Sequence, residues 1–426
     1  MNRPPSIDSI RALVQDAIPS IPVDSISSLP TERLRTVFRI RLCDGRSLNL
    51  NMAPISQRML RFEQALVISE ACLLTWLNEA VLRRPKVSIE PDIPILIKAG
   101  SQSKPLEQTD LSCRDVAVQF LPSLITYSSN PSALGIAFSL LLPTAGVPLS
   151  RLSKYLETEQ QTTIDFQKGR MLRYFAEFSS PNNTFGPASG VLGQMLAFDE
   201  FGGEIKHSTN NTGGLKNWRE AFHTLLEGVL RDGEDVAVTM SYELVRKQFS
   251  RLGYLLDAVQ VSRLVVIDAG DDGNILVSTS SNPIVQRGSR QVMLSNQSSS
   301  RTPDITVEGL CDWSNAIFGD PLFATVFSHN PSSSFLCGFG HPDSMQPLWP
   351  GASISDIDIV EDCQHAHIRL LLYECYHATV IIVQQFYRPG TGGFDKEIAA
   401  RRRLMVALAK LERFDDTTGK RTSKAA

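Results

Sequence analysis

Asp268, Asp271, Asp272 and Asn274 crowd together in the stretch VVIDAGDDGNILVS, a density of carboxylate and amide side chains suited to charge-handling chemistry. Asp272-Gly273-Asn274 reads as a tight turn running into the apolar strand Ile275-Leu276-Val277, with the Asn placed to hold a metal ion. Phosphoryl transfer uses such a loop, and a carboxylate at a fixed spacing ahead of the Asn aligns the attacking hydroxyl. That spacing falls on Ala269. Asp268 is its neighbour, but one step along an extended chain moves a side chain by roughly 3 Å and reverses its direction. Either the base has shifted to Asp268 or the loop has lost it.

Other charge-bearing residues must be brought to this loop by their elements. Val37 to Leu42 and Ser47 to Met52 alternate around Asp44-Gly45, a hairpin signal. In the second strand Asn49 and Asn51 share one face, and Leu48, Leu50 and Met52 share the other. Residues 8–18 have helical spacing, and a long amphipathic run from Met59 to Leu82 reads as one or two helices. Val87–Lys98 and Val116–Leu121 are β-rich, and Ile136–Leu142 reads as a buried strand before a Pro-Thr-Ala-Gly-Val-Pro connector. Beyond residue 150 helices dominate, at 151–177, 215–231 and 240–258. A strand pair at 264–267 and 274–278 flanks the acidic loop, Ile305–Leu310 is a further strand, and 366–388 is a long apolar helix. The Ser-rich segment 278–303 reads as an insertion, and the polar residues after Phe414 as a disordered tail.

The 426 residues carry 42% hydrophobic and 20% charged side chains, enough for two lobes with real cores. A net charge of -3 argues against a broad nucleic-acid or anionic-membrane surface, so neither partner is expected. Seven cysteines without a CxxC pair suggest reduced thiols and a cytoplasmic setting. The N-terminus has no apolar signal region, and the apolar stretch Ala133 to Leu142 is too short to span a bilayer. Cys363, His365 and His367 lie close together without a companion ligand pair, and Cys375 and His377 on the apolar helix read as packing residues. No Gly-x-Ser-x-Gly elbow supports hydrolase chemistry.

With the loop and lobes in view, the chain resembles the aminoglycoside phosphotransferase/choline-kinase-like family. Val265–Val277 runs parallel to its L-V-H-x-D-L-x-x-G-N-I-L-V loop, and Gly309-Leu310-Cys311-Asp312-Trp313 with Gly319-Asp320-Pro321 parallels its I-D-[WF] and G-D-P motifs. Arg369 to Tyr376 is similar to the family's R-L-L-Y-D-L-Y helix, and Leu60-Arg61-Phe62-Glu63 to Leu74 to its R-[YF]-E helix. The likeness covers residues 30–390 in order. It implies an α+β, bilobal protein-kinase-like fold: an N-terminal lobe over 1–142, a helical C-terminal lobe over 143–413 with the insertion at 278–303, and the tail 414–426. It also implies ATP and Mg2+ as cofactors and a small-molecule metabolite as partner.

The resemblance places the phosphate lysine at Asn51, its acidic partner at Glu70, the loop His at Ile267, the base at Ala269 and the metal ligands at Asn274 and Asp312. Glu70 would then lack its cation, or stand as an exposed helix residue. Asn274 and Asp312 would bind metal or simply form turns. Asp320 would anchor the catalytic-loop backbone. The preceding hairpin loop, Leu29 to Arg35, lacks the glycines of a phosphate cradle, and its Arg33 and Arg35 read as solvated side chains. Losing both lysine and base favours an impaired or repurposed phosphotransferase-like protein, a pseudokinase of small-molecule or secondary metabolism. The alternatives are an active ATP-dependent O-phosphotransferase using Asp268 or Asp271, and a cleft that binds a metabolite for non-phosphoryl chemistry.

Overall fold

The structure, a computed structural model, describes residues 5–31, 33–54, 57–82, 116–129, 134–193, 213–279, 305–342, 353–390 and 392–414. The Ser-rich segment beyond Thr279, the tail beyond Phe414 and the β-rich reading of Val87–Lys98 lie outside the described residues.

Helix α1 (Ile7–Ala17) begins where Ser6 accepts the Ser9 N–H at 3.0 Å. It packs Ile10 and Val14 against one face of a five-stranded antiparallel sheet. The strands are β1 (Val23–Leu29), β2 (Thr36–Leu42), β3 (Ser47–Met52), β4 (Ser123–Ser128) and β5 (Phe138–Leu142), in the order β1-β2-β3-β5-β4. Gly45 takes φ +89° in the β2–β3 turn, a conformation that favours glycine. Leu48, Leu50 and Met52 of β3 join the α1 side of the sheet. Asn49 and Asn51 therefore face the other way, toward α2 (Leu66–Leu82), which a short 3-10 turn at Arg61–Ala65 precedes.

The rest is mainly helical. Thr158–Ala176, Trp218–Asp235, Tyr242–Leu252, Ala366–Tyr387 and Gly393–Arg413 are its longer helices, packed around Trp218, Phe222, Phe323 and Tyr373. Ala366–Tyr387 is long and apolar enough to cross a membrane, but 67% of its most apolar window is buried inside the protein, as in a core helix. Six short strands form two small sheets: β6 (Val147–Pro148), β7 (Gly186–Pro187), β8 (Arg263–Val266), β9 (Ile275–Thr279), β10 (Ile305–Leu310) and β11 (Ala316–Gly319). Their orders are β10-β9-β6 and β7-β11-β8. A sheet-rich N-terminal part facing a helical C-terminal part, with the acidic loop between them, makes a bilobal α+β architecture.

Two readings of local structure are corrected. The strands flanking the acidic loop do not pair with each other: β8 pairs with β11, and β9 with β10 and β6. The Asp271 carbonyl accepts the N–H groups of Asn274 (2.8 Å) and Ile275 (3.1 Å), and this turn sends β9 into a different sheet. Val116–Leu121 is not β-rich either. Residues 116–118 are helical, Ala117 is buried in the main core, and the strand begins only at Ser123.

Candidate active-site cleft

The centre of the cleft is Glu70, on the second turn of α2 and 1% exposed. Its Oε2 accepts Asn51 Nδ2 at 2.9 Å and Ser139 Oγ at 3.2 Å. Its Oε1 accepts Arg35 Nη1 at 3.2 Å and the Trp313 N–H at 3.3 Å. Glu70 is thus neither exposed nor without a cation. Asn51 faces it as the strand alternation requires, but the positive charge arrives from the β1–β2 connection.

Arg35 reaches further. Its Nη1 lies 3.4 Å from Asp312 Oδ1, and its Nη2 donates to the Cys311 carbonyl. Arg33, two residues earlier, forms an ion pair with Asp268. Both guanidiniums were expected in solvent. Instead the connection turns inward, because three buried carboxylates in the cleft attract them more strongly than water does. Burial pushes the Glu70 carboxyl above its usual range against the pull of Arg35. Burial also opposes ionisation of Asp312, but Arg35 and Arg33 outweigh it and hold that carboxyl below its usual range.

Asp268 also departs from expectation. The side-chain reversal argued for this residue holds for an extended chain, whereas residues 267–270 form a turn after β8. Asp268 therefore lines the cleft. Its Oδ2 accepts Asn315 Nδ2 at 2.9 Å as well as Arg33, and its Oδ1 accepts Asn274 Nδ2 at 3.3 Å. Burial raises this carboxyl to about 6, against the pull of Arg33 and with repulsion from Asp312 and Asp271. Ala269 points the other way, fully buried in the hydrophobic core.

Asn274 and Asp312 stand together, as the family motifs imply, and one oxygen of each already accepts a backbone N–H. Asn274 Oδ1 accepts the Asp312 N–H at 2.9 Å and Cys311 Sγ at 3.3 Å, while its Nδ2 donates to the Asp312 carbonyl at 3.0 Å. Asp312 Oδ1 accepts the Ser314 N–H at 3.0 Å. Both behave as turn-formers. A divalent cation held by these residues would share their oxygens with two backbone N–H donors and lie beside the Arg35 guanidinium.

Below the arginines a cavity of about 420 Å³ opens between the two parts of the chain. Arg33, Asp268, Asn315 and Asp271 line one side; Phe62, Leu66, Val380 and Ile381 line the apolar side. Arg388 and Gln384 fix Glu63 at its rim, with Arg388 Nη2 2.6 Å from Glu63 Oε1. Tyr376 and His377, read from sequence as part of a packing helix, both reach this cavity. Nothing in the sequence but helical phase could have marked them.

Asp320 is architectural, though not by way of the acidic loop. Its Oδ2 accepts Arg369 Nε at 2.9 Å and the Tyr373 hydroxyl at 2.7 Å, so it anchors the helix Ala366–Tyr387. The loop backbone is held instead by Thr325, whose N–H donates to the Ile267 carbonyl at 2.8 Å. His365 pairs with Asp362 at 2.9 Å, and His367 Nδ1 lies 3.1 Å from the Gln364 carbonyl. Neither reaches the cleft.

No family model and no curated protein matches the sequence. Among solved structures, the chain is similar to a Ralstonia eutropha protein assigned as an aminoglycoside phosphotransferase, at 10% identity and a TM-score of 0.49, over 96% of this chain and 98% of that one. It is also similar to a Thermobifida fusca protein assigned as a fructosamine-3-kinase (14% identity, TM-score 0.45, 94% and 100% covered). A third is the GDP complex of an aminoglycoside 2'-phosphotransferase (12% identity, TM-score 0.47, 95% and 98% covered). All three are at most 14% identical to this chain.

Proposed function

We propose that this is a phosphotransferase-like protein whose nucleotide cleft has been repurposed, so that it binds a small metabolite without ATP-dependent phosphoryl transfer. One observation carries the reading: Arg35 stands between Glu70 and Asp312, where an active enzyme needs room for phosphate and metal. The two lobes, divided near residues 142–143, would then enclose a metabolite site, and a cytoplasmic role in small-molecule or secondary metabolism follows from that reading. Millimolar ATP with magnesium is expected to leave the melting temperature unchanged. A rise of several degrees, abolished by Asp312→Asn, would overturn the proposal.

A second reading has its own support. Asp268 faces the cavity with a carboxyl poised near neutrality, the state a general base needs. If the protein phosphorylates a metabolite and Asp268→Asn abolishes turnover while nucleotide binding persists, an active O-phosphotransferase is the better account.

A further inference from the structure

The cavity beneath the arginines has a wall whose charges are already balanced. Glu63 is held by Arg388, Asp268 by Arg33, and Asp312 by Arg35. Asp271 is the exception, but it is exposed and sits in the field of Arg33 and Lys168. His377 stays uncharged: burial drives its imidazole down to about 3, and its Nε2 lies 3.0 Å from the Phe323 carbonyl. A charged ligand seated against Glu63, Asp268 or Asp312 would have to break an ion pair, and removing one partner of such a pair is costly.

The Tyr376 hydroxyl in the wall is unspent. Tyr376 is 2% exposed, yet its hydroxyl has no hydrogen-bond partner among the described residues. It also lines a small, mostly apolar recess with Phe62, Leu225 and Ile317, which Ser69, Ser314 and Asn315 share. Facing the cavity, that hydroxyl is left to water, and a ligand hydroxyl or carbonyl would take the water's place.

From this juxtaposition of a charge-balanced wall, an apolar recess and the free Tyr376 hydroxyl, we infer that the cavity takes an uncharged, hydroxylated molecule with an apolar portion, anchored by Tyr376. The inference deepens the proposed function and rests on its reading of a cleft closed by Arg33 and Arg35. It separates this site from both an anionic nucleotide and a polycationic substrate. A volume of about 420 Å³ falls within the range of small-molecule pockets.

Three probes with one skeleton test it: cyclohexylpropanol, cyclohexylpropylamine and cyclohexylpropanoate, titrated calorimetrically into the full-length protein, with ATP and magnesium in a parallel thermal-shift series. The alcohol is expected to bind more tightly than the amine or the carboxylate. Tyr376→Phe, which removes only the unpartnered hydroxyl, is expected to weaken the alcohol about five- to tenfold, the worth of one neutral hydrogen bond, while leaving the melting temperature unchanged. Preference for either charged probe, no measurable alcohol binding, or equal alcohol affinity in Tyr376→Phe would overturn the inference. Nucleotide stabilisation alongside Tyr376-dependent alcohol binding would instead sink the closed-cleft reading and leave the ligand class standing.

Discussion

Arg35 decides the character of the cleft, because one guanidinium serves Glu70, Asp312 and the Cys311 carbonyl together. Breaking a buried pair from one side leaves uncompensated charge, so Arg35→Met should destabilise the protein by about 3 kcal/mol or more. A solvated loop arginine would change stability by less than about 0.5 kcal/mol, and urea unfolding separates the two. Asp268 gives a pH signature. Its raised folded value favours the protonated carboxyl, so its contribution to stability is present below the unfolded value of about 4 and is lost as pH rises through about 6. Relative to wild type, Asp268→Asn should therefore gain stability across that window, by roughly 3 kcal/mol in total. A flat difference between the two unfolding profiles would count against this burial-raised carboxyl. At this scale the sequence was partly legible. The facing of Asn51 follows from strand alternation, which holds wherever a chain is extended. The facing of Asp268 does not, since 267–270 is a turn, and no local pattern ties Arg33 to a carboxylate brought near only by the fold.

Elements explain why the family's chemistry cannot simply be written back. Ala269 is fully buried in the core, and Asn51 lies against the same Glu70 that Arg35 occupies. The variant combining Asn51→Lys, Ile267→His and Ala269→Asp would bury one carboxylate among apolar side chains and crowd a second cation onto Glu70. It is expected to unfold at lower denaturant than wild type and to gain no ATP turnover, which a coupled ADP-release assay would check. The β9–β10 pair makes a separate demand. Gly309 takes φ +148° where the register shifts, and a Cβ there would lie 2.5 Å from the Phe120 carbonyl. Gly309→Ala should cost about 1–3 kcal/mol, measurable by thermal unfolding. The hairpin of β2 and β3, α1 and the helix Ala366–Tyr387 were all readable from periodicity and turn residues. The partners of β8 and β9 were not, because pairing is set by the loop between them.

Across the whole molecule, the hairpin arginines fasten the N-terminal sheet to the helical part through Asp268, Asp312 and the Cys311 carbonyl. Ile305 stands opposite Thr279 in the β9–β10 register, so a short turn can close that hairpin. Replacing residues 280–304 with Gly-Asn-Gly should leave the melting temperature nearly unchanged, since closure cost varies slowly with loop length. A broadened or lowered transition would show that the segment contributes packing. The bilobal architecture was legible in the order of motifs along the chain. The closure of its cleft was not, because that depends on where two arginines end up after folding.

The Arg35 bridge also constrains how such a chain can diverge. Positions 35, 70 and 312 share one charge balance, though they lie far apart in the sequence. A descendant that exchanges Arg35 for a neutral residue inherits two buried acids facing each other, and it keeps its fold only if Glu70 or Asp312 is neutralised as well. Among related sequences the three positions should therefore be substituted together, and chains with a lysine at position 51 should be those free to lose the arginine at 35.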